Sequence, residues 1–323
     1  MNARVSIVLC TYNGEKYLRS QLDSILSQTY PIHELIIQDD CSIDGTPDII
    51  KEYAEKNPII KTYFNNQNLG FKNNFSDAVS KASGDYIALS DQDDIWLDNH
   101  IQVLAEIIGN RSIASADSRF IDNQGNDLGY TISQEKQMLH FYENGIECAF
   151  RLFYNSGFFH GHNMLLRADF AKKCLPIPDD IVYHDIWFTA LACFQDGIVY
   201  SDTIISLYRQ HQHTVTSHRR YNILRDLKMR HHNDFSDNRI ELYLQLVKRK
   251  DLSSEGYKFL EEFRRYAIRC PFLKNRLWCW WWRFSHYRLI YTTKNLKYFF
   301  PRSLQYIITP SFIKKSDISK LME

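Results

Sequence analysis

What the sequence lacks narrows its class first. Seven cysteines (Cys10, Cys41, Cys148, Cys174, Cys193, Cys270 and Cys279) are odd in number and scattered, and no two form a Cys-x-x-Cys pair. That spacing suggests neither a zinc site nor a disulfide framework and reads as reduced, mostly packed thiols. No apolar run reaches the roughly 18 residues that a membrane-crossing helix needs. Met1 to Arg4 leads straight into a short apolar segment, without the features of a signal peptide. The expectation is a cytoplasmic protein. No internal repeat and no low-complexity tract interrupts the chain. After the first apolar run, CTYNGEKYL holds one glycine and no Gly-x-Gly, which speaks against the phosphate loop of a dinucleotide oxidoreductase or a nucleotidyltransferase.

The 323 residues suffice for one large domain or two modest ones, and 44% hydrophobic with 24% charged content is ordinary for a globular protein. A net charge of +1 conceals an uneven distribution. From Arg264 to the end there are 13 Lys and Arg against 2 acids, which leaves the preceding part near −10. An acidic body carries a basic tail.

Short apolar runs alternate with helical stripes through the first 110 residues. Val5 to Cys10, Leu35 to Ile37, Ile59 to Phe64 and Tyr86 to Leu89 have strand length. Tyr17, Leu18, Leu22, Ile25 and Leu26 fall on one helical face. Thr46-Pro47 predicts an N-cap and first turn for a helix through Ala54. Phe75 to Ala82 predicts a helix closed by Gly84, and Ile101 to Ile108 another. This alternation predicts an α/β fold, a mainly parallel, Rossmann-like sheet with helices on both faces. From Ile113 to about His218 the pattern is mixed: a strand near Ile113 to Ile121, a turn at Asp122 to Asn126, a segment through Phe158 to Leu166, a helix from His184 to Phe194 and a β-like run at Ile204 to Tyr208. Ile223 to Lys250 and Tyr257 to Arg269 then predict long helices. The expected division is a catalytic domain at 1–217, with halves at about 1–110 and 111–217, and a helical, basic and aromatic C-terminal region at 218–323.

Ligands of open parallel sheets bind outside the carboxyl ends of the strands, so the residues after each apolar run carry the chemistry. These are Thr11-Tyr12-Asn13-Gly14, Asp39-Asp40-Cys41-Ser42 and Ser90-Asp91-Gln92-Asp93-Asp94. Two acidic clusters on one edge repel each other unless a cation or a hydrogen-bonding ligand compensates them. Asp91-x-Asp93 suits a hard divalent ion, Mg2+ or Mn2+, which takes oxygen ligands and leaves positions open for phosphate. A solvated acidic turn is the plain alternative for an isolated Asp-x-Asp, and the second acidic pair on the same edge weighs against it. Asp39 is well placed to accept hydrogen bonds from a base or ribose; Asp40 and Asp44 serve equally well as turn or capping residues.

Three stretches in this order, VSIVLCTYNGEKYLRSQLDSILSQTY, ELIIQDDCSIDGT and GDYIALSDQDDIW, resemble the nucleotide-binding half of family-2 glycosyltransferases with the GT-A fold, and the resemblance covers about residues 4–215. SDQDDIW, with the later HDIW and YRQH, is similar to a bacterial rhamnosyltransferase-like branch. The resemblance implies inverting, metal-dependent transfer of a sugar from a nucleotide-diphosphate donor, dTDP-rhamnose first and UDP-hexoses next. The implied acceptor is a hydroxyl of a glycan or lipid-linked glycan in cell-surface polysaccharide or O-antigen assembly. It places Thr11 and Tyr12 at the pyrimidine base, Asp39 reading that base with Asp40 beside it, and Lys72 in the region that meets the donor. Asp93 is then the direct metal ligand and Asp91 lies near the ribose or the metal's waters, with Asp94 a helper or a helix cap.

In Tyr183-His184-Asp185-Ile186-Trp187, Asp185 takes the place of the catalytic base, and His184 stands where many relatives have Glu. Arg209 and His211 of Tyr208-Arg209-Gln210-His211 are expected to close over the diphosphate, His211 within reach of the metal; a structural role is the alternative. Gly161, His162 and Asn163, with His184 and Trp187, fall on the acceptor side, Gly161 by allowing close backbone approach.

Trp278, Trp280, Trp281 and Trp282 stand among Arg276, Arg283, Arg288, Lys294 and Lys297. Amphipathic rings with positive charge suit the headgroup layer of an anionic membrane, which would place the protein on the inner face of the cell membrane. Packing of those rings onto the catalytic domain, with snorkelling arginines, is the other reading. No recognition motif accompanies the segment, so nucleic acid is not an expected partner. A catalytically inactive carbohydrate-binding homologue and another nucleotide-sugar enzyme remain as alternatives; Asp91, Asp93 and Asp185 speak against the first.

Overall fold

Along β1 (Val5–Thr11) every position is buried. Val5, Ile7 and Leu9 face one core, whereas Val8 and Cys10 face the other, because successive side chains leave a strand on opposite faces. A strand apolar on both faces needs cover on both. The structure, a computed structural model, describes residues 3–135, 145–154, 159–211, 234–269, 276–286 and 320–322. After β1 come α1 (Glu15–Leu26), β2 (Ile32–Asp39), α2 (Thr46–Lys56), β3 (Ile60–Phe64), α3 (Phe71–Lys81), β4 (Tyr86–Asp91), β5 (Ile95–Trp96) and α4 (His100–Ile107). The middle of the chain gives β6 (Ile113–Ile121), β7 (Asp127–Thr131), α5 (Ile132–Glu135), α6 (Gly145–Tyr154), a 3-10 turn (Gly161–Asn163), β8 (Met164–Arg167), α7 (Ala168–Lys173), α8 (His184–Cys193) and β9 (Ile198–Arg209). Three helices follow, α9 (Asp234–Val247), α10 (Ser254–Arg269) and α11 (Arg276–Ser285).

One sheet runs in the order β3-β2-β1-β4-β8-β6-β9-β5, with β7 paired to β6. The pairs β3–β2, β2–β1, β1–β4 and β6–β9 are parallel, and β8 runs antiparallel between β4 and β6. Reversing direction twice across β8 leaves β1, β2, β4, β6 and β9 all ending on one edge. Helices α1, α2 and α4 cover one face with Leu18, Leu22, Ile50, Ile101 and Leu104; α3, α6 and α8 cover the other with Phe75, Val79, Phe153, Phe188 and Leu191. Each such side chain contributes roughly 1.5–3 kcal/mol on burial. The α/β architecture expected from the alternation is the one observed, with helices beyond it.

Those C-terminal helices share the core on the α8 face. Phe259 and Phe263 of α10 meet Phe150 and Phe153 of α6 with ring centroids 4.8–5.3 Å apart. Gly256 admits Phe194, which would stand 3.0 Å from a Cβ there. Trp282 is buried in the same cluster and its Nε1–H donates to Glu262 Oε1 at 3.0 Å. Trp278 and Trp281 are 37% and 60% exposed, beside an exposed Leu277. Among the described tryptophans of the tail, Trp282 packs inward, while Trp278 and Trp281 are exposed. Trp280, Arg276 and Arg283 lie outside the described side chains, and Arg288, Lys294 and Lys297 outside the described residues. So does the expected boundary at 217/218. Among the described residues, no helix is long and apolar enough to cross a membrane.

Some local expectations change in the tertiary structure. Thr46 does not cap its own helix; its Oγ1 accepts the Gly14 N–H at 2.8 Å, while Asp44 accepts the N–H groups of Thr46 and Glu15. Gly84 does not close α3, which ends at Lys81. A Cβ on Gly84 would meet the Arg4 carbonyl at 2.7 Å, so this glycine lets the chain enter β4 against β1. The segment through Phe158 to Leu166 passes through the 3-10 turn into the strand Met164–Arg167. Of the helix expected at Ile223 to Lys250, Asp234–Val247 is seen, and residues 223–233 lie outside the described residues.

Candidate active site

Strand register brings the acidic motifs together. Thr11 lies opposite Asp39 at the ends of β1 and β2, and Cys10 lies opposite Asp91 of β4. The Thr11 hydroxyl donates to Asp39 Oδ1 at 2.8 Å; Ser42 donates to the same carboxylate from its hydroxyl at 2.6 Å and its N–H at 2.9 Å. Buried Asp39 therefore knits the β1 and β2 loops. Asp40, expected beside the donor, is turned inward: it accepts from Asn65 Nδ2 and from the N–H groups of Leu69 and Gly70 at 2.7–2.9 Å. It organises the loop before α3. Asn13 and Cys41 adopt left-handed backbone, φ 48° and 64°, a conformation Asn tolerates better than most residues. Asn13 is held there by reciprocal bonds, its N–H to Ser42 Oγ and the Ile43 N–H to its Oδ1, both 2.9 Å. Tyr12, 47% exposed, is the loop's outward-facing ring.

Gln92, the middle residue of the Asp-x-Asp motif, escaped the reading of the sequence. Its Oε1 accepts the Tyr12 N–H at 2.8 Å and its Nε2 donates to the Tyr12 carbonyl at 3.0 Å. Gly14 makes room for it, since a Cβ there would stand 2.2 Å from Gln92 Oε1. The amide clamps the β1 loop to the acidic turn after β4. Only a residue that both donates and accepts can do this, and the spacing of the carboxylates carries no sign of it.

Around that turn the charges are crowded. The Asp91 carboxyl is pushed up to about 8, by burial first and then by the charges of Asp93 and Asp185. Asp94 is raised well above the usual carboxylate range by burial, then by Asp93 and Asp91. One ligand atom each of Asp91, Asp94 and His162 lies within 4.8 Å of the others. Two unit charges at that spacing repel by roughly 3–4 kcal/mol at an effective dielectric near 20, so full ionisation requires a counter-charge. His211 Nε2 lies 2.7 Å from Asp93 Oδ2, near the roughly 3 Å that separates adjacent ligand atoms on an octahedral ion with bonds of about 2.1 Å.

The donor set at this turn suits a divalent cation, and the cluster tight enough to share one is Asp91, Asp94 and His162. Asp94 Oδ2 is buried without a hydrogen-bond partner, and His162 Nδ1 lies 3.8 Å from it. His162, expected on the acceptor side, is instead buried behind the acidic turn, its Nε2 2.9 Å from Ser118 Oγ.

Arg209, expected at the donor diphosphate, is 4% exposed and braces the turn. Its N–H donates to Asp94 Oδ1 at 2.9 Å, Nε to the Asp93 carbonyl at 2.7 Å and Nη1 to the Asp122 carbonyl at 3.2 Å. Its guanidinium sits over the Tyr17 ring, which also lies 5.1 Å from the His211 ring. Tyr17, read from the sequence as part of the α1 stripe, thus supports both side chains. Lys72 Nζ donates to the carbonyls of Pro178 and Asp179 at 3.1 and 2.9 Å, joining α3 to the segment before α8.

Asp185 stands in the first turn of α8, where the helix dipole favours negative charge. It accepts the Ile186 N–H at 2.7 Å. Burial nevertheless pushes its carboxyl up to about 6, against backbone hydrogen bonds from Ile186, Gly161 and its own N–H. Its charge helps to raise Asp91, so the two carboxylates lie near each other.

Two of the remaining residues expected on the acceptor side, Trp187 and Asn163, lie in the core. Trp187 is 1% exposed in the core and donates Nε1–H to the Cys174 carbonyl at 2.8 Å, because it falls on the inward face of α8. Asn163 is buried, donating to the Ala116 carbonyl at 2.6 Å and accepting from Ser115 Oγ at 3.1 Å. Gly161 does allow close approach, to His184: a Cβ on it would stand 2.7 Å from His184 Nε2.

This arrangement has counterparts. A family model for glycosyl transferase family 2 matches residues 6–175. Mycobacterium tuberculosis Rv1520, an uncharacterized protein, is 43% identical over 97 residues, 29% of this chain and 28% of that one. Bacillus subtilis TuaG, a glycosyltransferase named for teichuronic acid biosynthesis, is 34% identical over 110 residues, 34% of this chain and 44% of TuaG. A Haemophilus influenzae uncharacterized glycosyltransferase is 32% identical over 180 residues, 52% of this chain and 53% of that one. The matched stretches thus span about a quarter to a half of these curated relatives.

Among solved structures, Staphylococcus aureus TarS 1–349 in complex with UDP-GlcNAc superposes with a TM-score of 0.57 at 17% identity, covering 94% of this chain and 81% of that one. The mannosyltransferase PcManGT of Pyrobaculum calidifontis, in complex with GDP-Man and Mn2+, gives 0.55 at 14% identity, covering 95% and 86%. These likenesses establish the GT-A fold, and the family match runs from β1 past α7. The chain belongs to glycosyltransferase family 2.

Proposed function

We propose that the protein transfers a sugar from a nucleoside-diphosphate donor to an acceptor hydroxyl with inversion at the anomeric carbon. The observation that carries this reading is the crowding at the strand ends, where Asp91, Asp94 and His162 converge, the charges of Asp93 and Asp185 act on Asp91, and His211 Nε2 lies 2.7 Å from Asp93. Half-exposed Tyr12 offers a ring against which a base stacks, on a loop held by Gln92 and Asn13. A divalent cation, Mg2+ or Mn2+, would be held by Asp91, Asp93 and His211 and would stabilise the negative charge growing on the departing diphosphate. Asp185 accepts the acceptor's hydroxyl proton as the new C–O bond forms and the bond to the diphosphate breaks. Its carboxyl near 6 keeps it ionised at neutral pH and more basic than an ordinary aspartate.

For the donor we favour dTDP-rhamnose, on the resemblance of SDQDDIW and HDIW to the rhamnosyltransferase-like branch. The second reading is a UDP-hexose, the donor class bound by TarS in its complex with UDP-GlcNAc. The acceptor is a glycan or lipid-linked glycan of the cell surface, in keeping with TuaG. Leu277, Trp278 and Trp281, exposed together on α11, favour contact of the tail with an anionic membrane. Replacing Leu277 and Trp281 by Ser should release the protein from anionic vesicles; unchanged co-sedimentation refutes that contact.

Asp185→Asn tests the chemistry. Donor affinity by calorimetry should hold while turnover falls about 10²–10⁴-fold, and near-normal turnover removes Asp185 as the base. A thermal-shift screen of nucleotide sugars with Mn2+ or Mg2+ decides the donor: stabilisation by UDP-hexoses without any by dTDP-rhamnose overturns the rhamnose assignment.

A further inference from the structure

His184 precedes the proposed base and has no ordinary reason to be a histidine. It is 7% exposed, and neither ring nitrogen has a hydrogen-bond partner. Leaving buried polar atoms unmatched costs about 1–3 kcal/mol each, so hydrogen bonding is not what holds this side chain in place. Its contacts are flat and apolar. The ring stacks on Phe75 with centroids 4.1 Å apart and meets Phe71 edge-on at 6.2 Å. Burial lowers its pKa to about 3, so it remains neutral.

On its remaining side is Gly161. The Nε2 atom lies 2.7 Å from where a Cβ on residue 161 would sit, which is closer than real Cβ contacts come. The Gly161 N–H in turn lies near enough to the Asp185 carboxyl to favour its charged form. Gly161 opens the 3-10 turn whose next residues, His162 and Asn163, are anchored to Ser118 and Ala116.

We infer that His184 is a positioning residue: its ring, wedged between Phe75 and Gly161, holds the Gly161 N–H on the Asp185 carboxylate. The inference rests on Asp185 being the base. A ring at 184 and the absence of a side chain at 161 form one steric unit. Each is needed because the other is there.

The test uses the full chain and the pH dependence of kcat, which a merely structural role would not move. Gly161→Ala drives a methyl group into the ring, and His184→Ala removes the wall. Each should lower kcat by about 10²-fold, the scale of a misplaced catalytic group. Each should also move the acidic limb of the profile upward by about one pH unit, since a lost hydrogen bond to the carboxylate disfavours its charge. The double variant Gly161→Ala with His184→Ala lets the methyl occupy the vacated space and should recover at least tenfold in kcat over the worse single variant. His184→Phe, which keeps a ring and drops both nitrogens, should hold the limb where His184→Ala moves it.

Thermal unfolding monitored alongside separates a fold defect from a positioning defect. An unmoved limb in the folded single variants, or a double variant no better than either, overturns the inference. Should Gly161→Ala fail to fold, the contrast between His184→Phe and His184→Ala decides it alone. Asp185→Asn measured in parallel distinguishes the two failures: an active Asp185→Asn enzyme sinks the base itself, whereas an inactive one with unmoved limbs sinks only the positioning role of His184.

Discussion

The two walls of the cleft are built differently. On the nucleotide side, the loops after β1, β2 and β4 are laced by short hydrogen bonds, Thr11 and Ser42 to Asp39, Gln92 to Tyr12 and Asn13 to Ser42. On the opposite side, His184 is buried without hydrogen-bond partners, and Asp185 is raised by burial. Satisfied polar networks fix a shape; poorly solvated ionisable groups store reactivity. The nucleotide side is therefore read as the rigid holder, and the base side as the part whose charge state responds to ligand and pH.

Removing the holder's counter-charge site should have the largest effect. Asp93→Ala deletes the carboxylate nearest His211 and should abolish cation-dependent nucleotide binding in calorimetry; retained binding with the same Mn2+ dependence would contradict its role. Next comes the support beneath the base side. Phe263→Ala removes a ring packed on Phe153 in the core shared with α8 and should destabilise the protein by about 3–5 kcal/mol in denaturant titrations. A change under 1 kcal/mol would mean that the C-terminal helices are dispensable to that core.

Smaller, and confined to the base side, is the pH response. As the proposed base, Asp185 must be deprotonated to accept a proton, and its carboxyl sits at about 6 rather than 3.8. At saturating donor and cation, kcat should fall tenfold per unit below about pH 6 and stay level above it. A profile flat down to pH 4.5 would assign the proton to another group. Smallest is Gln92→Ala, which removes two bonds of the holder, each worth about 1 kcal/mol net. Donor Kd should rise about tenfold with the base-side limb unmoved; an unmoved Kd would show that the clamp is redundant.

How much of this was legible depended on distance along the chain. The apolar run at Val5 to Cys10, the acidic residues after it in space and the helical stripe of α1 follow from local periodicity, and the structure keeps them. Asp40, Arg209, Trp187 and His162 show where local reading ends. Each is a functional-looking residue type at a strand or helix end, yet each faces inward, because the hydrogen-bond partners that decide this lie 13 to 116 residues away. Gly84 misled for the same reason: its position after α3 resembles a helix stop, while its cause is the Arg4 carbonyl of the neighbouring strand. Gln92 and Tyr17 left no signal beyond their identity.

The sequence by itself determined the α/β class, the edge at which chemistry gathers and the carboxylates that gather there, because strand and helix periods and the rule of strand ends act over a few residues. Only the tertiary structure decided which carboxylates face the cleft, which brace it, and that residues as far apart as Gly161 and His184 make one contact. Burial and close approach are properties of neighbours in space, and no local pattern encodes them.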